Sequence, residues 1–117
     1  MGASVAIDKQ LLKGTIPLLV LHLLARADMY GYQLIKSLEQ LSSGALKFSE
    51  GTLYPVLHSL ERDGMLRAHW LVAESGRRRK YYAITDRGRR DLGSRMAEWR
   101  TFAGAIEAVL SEDADHA

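Results

Sequence analysis

The hydrophobic pattern of this chain changes period at Asp63-Gly64, and that change constrains the fold more than any other feature. Before it, apolar residues recur at helical spacing. Leu34, Ile35, Leu38 and Leu41 follow an i, i+1, i+4, i+7 pattern, and Leu53, Val56, Leu57 and Leu60 form a second such stripe. After it the period falls to about two, over residues 65–73 and again over residues 79–84, where Tyr81, Tyr82 and Ile84 are strong β-formers. Glu74-Ser75-Gly76 reads as the turn between the two runs. A chain that passes from helices to one hairpin is expected to be mainly α with a two-stranded β-hairpin.

Three helices are expected before the hairpin. The first spans residues 15–26, with Thr15 as its N-cap and Pro17 in the first turn, where the missing N–H costs nothing. Its leucines are apolar almost all round, so it should be covered on several sides. Ala27-Asp28-Met29 reads as a short break. The second helix covers residues 31–41 and ends at Ser42-Ser43-Gly44. The third begins at Ser49, a good N-cap, with Glu50 beside the positive end of the helix dipole, and Gly64 stops it. Pro55 lies deep enough to predict a tightened first turn. Residues 1–7 are weakly patterned and read as a loose arm or a short helix.

Beyond the hairpin, Thr85 is a fresh N-cap and Asp86 follows it. The helix it opens is predicted to reach Leu110. Leu92, Met96, Trp99, Ala103, Ile106 and Leu110 are separated by 4, 3, 4, 3 and 4 positions, a heptad seam for packing along another helix, with Phe102 beside it. These residues are the candidate dimer interface. The acidic tail after Leu110 reads as frayed. The expected organisation is a winged helix-turn-helix domain over residues 1–84, with its N-terminal arm, and a C-terminal dimerisation helix and tail over residues 85–117.

Composition narrows the function. Of 117 residues, 47% are hydrophobic and 26% charged, as in a soluble globular domain. The net charge is +2 and the pI about 9.0, so the placement of charge matters more than its sum. Cysteine is absent, which excludes disulfides, thiolate metal sites and cysteine nucleophiles and is compatible with a cytoplasmic location. His22, His58, His69 and His116 lack metal-ligand spacing, so neither a metal nor a cofactor is expected. The most apolar run, residues 16–25, is shorter than the roughly 20 residues a bilayer requires and sits too far behind Asp8 for a signal peptide, so no membrane partner is expected.

The strongest charge feature is Arg77-Arg78-Arg79-Lys80 at the hairpin tip, with Arg67, Arg87, Arg89 and Arg90 nearby in sequence. Cations on a projecting wing suit the phosphates of double-stranded DNA, although a solvated turn would show the same run. The third helix is the candidate recognition helix: Ser49, Thr52, Tyr54 and His58 carry hydrogen-bonding groups, and Gly51 lets the backbone approach a phosphate. Tyr30, Tyr32 and Gln33 open the second helix, where a helix N-terminus attracts anions; packing at the core edge is the alternative for the tyrosines. Trp99 and Phe102 are candidates to line a gap between two copies of the last helix, where a planar aromatic small molecule would fit. A plain interface tryptophan is the simpler alternative. Trp70 is expected to pack under the wing.

The sequence resembles the PadR family of transcriptional regulators in its short form, with a single C-terminal helix. The resemblance is carried by Leu12-Lys13-Gly14-Thr15, Tyr30-Gly31-Tyr32, Gly51-Thr52-Leu53-Tyr54-Pro55-Val56-Leu57, Leu60-Glu61-Arg62-Asp63-Gly64 and Arg79-Lys80-Tyr81-Tyr82-Ala83-Ile84-Thr85, with Gly88 shortly after. It covers residues 11–110. The resemblance implies a dimeric repressor whose third helix enters the major groove and whose wing touches the backbone or minor groove. It carries Thr52, Tyr54, Pro55 and His58 over as DNA contacts and implies dimerisation through the last helix, partly against the partner's N-terminal segment. Trp99 resembles a tryptophan that stacks on planar compounds in multidrug-sensing members. Two features depart from the pattern: Ser59 stands where many relatives have a basic residue, and the run Arg77-Arg78-Arg79 has arginine where many have proline.

The function expected is that of a DNA-binding repressor acting as a homodimer on a pseudo-palindromic operator, released by a small aromatic ligand. The alternative is a winged-helix protein-interaction module without sequence-specific DNA binding. An enzyme is not expected, because no nucleophile, metal cluster or phosphate loop stands out.

Overall fold

The computed structural model describes residues 7–111. Of the expected arm over residues 1–7 and acidic tail over residues 111–117, residues 1–6 and 112–117 lie outside the described residues. A short helix absent from the sequence reading, α1 (Lys9–Lys13), opens the structure, capped by Asp8, whose Oδ1 accepts from the Gln10 N–H at 2.7 Å. Gly14 separates it from α2 (Ile16–Leu24). Thr15 is not the side-chain cap expected. Its backbone is already helical, and its hydroxyl points back, donating to the Leu12 carbonyl at 2.9 Å. The reason is α1 itself, whose last carbonyls need donors. Pro17 does fall in the first turn of α2.

The stretch read as a break holds a two-residue strand, β1 (Met29–Tyr30), followed directly by α3 (Gly31–Leu41). Leu34 and Leu38 of α3 are buried, whereas Leu41, at the end of the predicted stripe, faces out. Ser43 and Gly44 reverse the chain with positive φ values of 54° and 85°. α4 (Glu50–Arg62) is capped as expected, with Ser49 Oγ accepting from the Thr52 N–H at 3.2 Å. Its first turn is tightened ahead of Pro55, because the Thr52 N–H also reaches the Ser49 carbonyl, at 3.1 Å. Gly64, at φ 79°, ends the helical region.

β2 (Leu66–Val72) and β3 (Arg78–Ile84) form the hairpin, in a register from Leu66 opposite Ile84 to Val72 opposite Arg78. β1 adds a third strand on the other side of β3, so the sheet is three-stranded and antiparallel, in the order β1-β3-β2. α5 (Asp86–Leu110) then leaves the body as a rod, and the molecule is 64 Å in its longest dimension. Thr85 joins the wing to this rod: Oγ1 accepts from the Gly88 N–H at 3.0 Å and donates to the Gly64 carbonyl at 2.6 Å.

One core unites these elements. Val20, Leu21 and Leu24 from α2, Leu34 from α3, Leu53 and Leu57 from α4, and Tyr82 from β3 are almost completely enclosed. α5 enters this core only at its start, through Leu92. The architecture is the expected winged helix-turn-helix with a long C-terminal helix, its hairpin extended by β1 to three strands.

Candidate nucleic-acid interface

α4 buries Leu53, Leu57 and Leu60 and turns Gly51, Thr52, Pro55 and His58 to solvent. Ser49 and Thr52 are linked to each other by hydroxyls 3.1 Å apart, which orders the polar start of the helix. Tyr54 is half-buried, its ring tilted against His58 with centroids 6.2 Å apart. Burial, with the charges of Glu50 and Tyr82 added, pushes the Tyr54 phenol above its usual pKa, so it remains a hydrogen-bond donor at neutral pH. Ser59 accepts from Arg62 Nη2 at 3.2 Å, so a guanidinium one turn further on reaches the spot where a basic side chain was absent from the motif.

The start of α3 is more committed than the sequence suggested. Gln33 Oε1 accepts from the Tyr30 backbone N–H at 3.1 Å, so it serves as a helix cap. The Tyr30 ring packs edge-on against Tyr81 at 5.3 Å and carries the Arg79 guanidinium 4.6 Å from its centre. Tyr32 is exposed beside Lys36, whose Nζ lies 5.9 Å from its ring centre.

The wing cations are distributed rather than clustered. Arg77 and Arg78 are exposed, and Arg79 lies half-buried over Tyr30. Lys80 points back to the body, with Nζ 3.5 Å from Glu61 Oε1 on α4. Burial pulls the Lys80 ammonium down, but Tyr82 and Glu61 outweigh this and hold it above its usual pKa, so it stays charged. Trp70 does not pack under the wing. It is 54% exposed, because the strands outrun the core beneath them, and the Arg78 guanidinium lies 4.7 Å from its ring centre. The sequence reading also missed the tie between the wing and the segment before α3: His69 Nε2 and Asp28 Oδ2 are 3.0 Å apart, and His69 stacks on Tyr81. No local spacing could have shown this, since the pair is 41 residues apart.

The seam residues of α5 divide. Leu92 packs on the core, and Met96 and Ala103 are half-buried. Trp99, Phe102, Ile106 and Leu110 are between 44% and 68% exposed. Trp99 and Phe102 face a cleft of about 890 Å³ between α5, α1 and α2, walled also by Leu11 and Leu18. Among the described residues no helix is long and apolar enough to cross a membrane.

With this geometry in place, residues 20–94 match the transcriptional regulator PadR-like family. The chain belongs to the PadR-like family. The transcriptional regulator Rv3488 of Mycobacterium tuberculosis is 38% identical over 80 residues, covering 68% of this chain and 71% of that protein. The transcriptional regulator YqjI of Escherichia coli is 30% identical over 105 residues, which cover 86% of this chain but only 49% of YqjI, so the chain spans about half of that relative's length. Among solved structures, a PadR family transcriptional regulator from Eggerthella lenta superposes with a TM-score of 0.75 at 36% identity, covering 88% of each chain. PadR-like proteins are transcriptional regulators and not enzymes, which agrees with the sequence reading. In this PadR-like chain the matched segment runs from α2 through the wing into the first third of α5. The exposed far end of the rod lies outside it.

Proposed function

We propose that this PadR-like chain is a cytoplasmic homodimeric repressor that binds a pseudo-palindromic operator. The observation that carries the reading is that two features stand on elements sharing one core. A capped α4 presents Thr52, Pro55 and His58 to solvent, and the adjoining wing exposes Arg77 and Arg78, with Arg79 half-buried over Tyr30. A helix of this length fits the major groove, while wing cations neutralise flanking phosphates and release counterions. Residues 1–84 supply the DNA-binding unit. The open apolar side of α5 at Trp99, Phe102, Ile106 and Leu110 is the dimer contact in this reading, and the operator it calls for has two half-sites about one helical turn apart.

The ligand site expected between two copies of α5 is here a cleft within one chain, mostly apolar with Arg95 and Glu98 also on its wall, and its drug-like size supports release by a planar aromatic ligand. Footprinting on the DNA upstream of the chain's own gene tests the reading. Protection of two half-sites spaced one turn apart supports it. Failure to bind any duplex at low salt would replace it with the protein-interaction reading.

A further inference from the structure

The four consecutive cations of the wing do not form one patch. Strand alternation sends Arg78 and Lys80 to one face of the sheet and Arg79 to the other. On the first face Trp70 stands opposite Lys80, and Arg78 is its diagonal neighbour. Lys80 is drawn towards Glu61 at 3.5 Å, which leaves the indole to Arg78, whose guanidinium lies 4.7 Å from the ring centre.

Trp70 is too exposed to be explained by the core. Its ring instead offers a guanidinium a flat, electron-rich face. A guanidinium stacked in this way keeps its N–H edge open to planar acceptors such as phosphate oxygens. A long side chain held in place before binding also loses less freedom when a phosphate arrives.

We infer that Trp70 is a positioning residue for DNA binding, its indole holding the Arg78 guanidinium with the donor edge turned towards a backbone phosphate. The inference rests on the DNA-binding reading above. Trp70 acts through Arg78 and makes no contact of its own with the duplex. The stack also assigns the adjacent arginines separate supports, Trp70 for Arg78 and Tyr30 for Arg79, so the two approach DNA from opposite faces of the wing.

The test is fluorescence anisotropy with a labelled random-sequence duplex over a salt series, using wild type, Trp70→Phe, Trp70→Leu, Arg78→Ala and the Trp70→Leu/Arg78→Ala double variant. Trp70→Leu keeps the apolar bulk and loses the ring, and it is expected to weaken binding about two- to five-fold, the size of an exposed cation–π contact. Trp70→Phe should stay within about two-fold of wild type. Arg78→Ala should weaken binding and lower the salt slope by about one, and Trp70→Leu should add nothing in that background. Equal loss from Trp70→Leu in both backgrounds, or equal loss from Phe and Leu, overturns the inference while leaving DNA binding intact. A wild-type chain that ignores duplex at low salt overturns the DNA-binding reading and this inference with it. Thermal melts of each variant show whether the folded fractions are comparable.

Discussion

The Tyr54 hydroxyl stands over Gly31, so close that a Cβ on that glycine would lie 2.6 Å from the oxygen and 2.9 Å from Cζ. One residue opens α3 and the other lies on α4, so this contact sets how closely the two helices of the helix-turn-helix approach. Gly31→Ala is expected to displace the ring and cost about 1–3 kcal/mol, the usual range for overpacking. Thermal denaturation checks it. In a Tyr54→Ala background the same substitution should cost less than about 0.5 kcal/mol, because the coupled partner is gone. Equal costs in both backgrounds would show that the ring does not set the spacing.

A second close approach lies at the joint between wing and rod. A Cβ on Gly88 would strike the Met65 carbonyl oxygen and come within 2.7 Å of Ile84 Cγ1. The first obstacle is backbone, which yields far less readily than a side chain. Gly88→Ala should therefore lower stability by at least about 2 kcal/mol, seen as a lower urea midpoint. An unchanged midpoint would contradict the packing described at Thr85 and Met65.

The wing cations carry no sequence information of their own if they meet only phosphates. Replacing Arg77, Arg78 and Arg79 together by alanine should weaken specific and random duplex alike and flatten the salt dependence by up to about three in slope. Gel-shift titrations at two or more salt concentrations measure both. A triple variant that binds as wild type does would remove the wing from the interface.

The cleft beside Trp99 gives a spectroscopic handle, because the chain has two tryptophans and Trp70 lies on the wing. Titration with a panel of planar aromatic compounds should quench the wild type and leave Trp99→Phe unquenched at the same ligand concentrations. A Trp99→Phe variant that quenches equally would rule out the cleft as the ligand site.

What could be read from the sequence follows from how burial imprints a period. The stripe Leu53, Val56, Leu57 and Leu60 and the cap at Ser49 located α4, because one face of that helix meets the core and its start needs an acceptor. β1 left no such mark. Two residues carry no period, and Met29 and Tyr30 are a strand only because β3 offers them a free edge. Thr15 has the right chemistry for a cap, but α1 claims its hydroxyl first. Trp70, expected to pack under the wing, is exposed together with Leu71 and Val72, because that end of β2 lies beyond the core. The cationic run at residues 77–80 was visible as charge. Its division between Trp70, Tyr30 and Glu61 depends on strand register and on partners distant in sequence. The seam from Leu92 to Leu110 was legible as spacing, and the structure shows that its far end lacks a cover among the described residues.

In the proposed dimer two chains are joined along α5 so that paired α4 helices meet one duplex, and sedimentation equilibrium at micromolar concentration decides this. The expected species has twice the 13.1 kDa chain mass, with two chains bound per operator duplex. Ile106→Glu, on the open side of the rod, should shift the protein to single chains. A wild-type protein that sediments as a 13.1 kDa monomer at that concentration, alone and on DNA, would overturn the dimer.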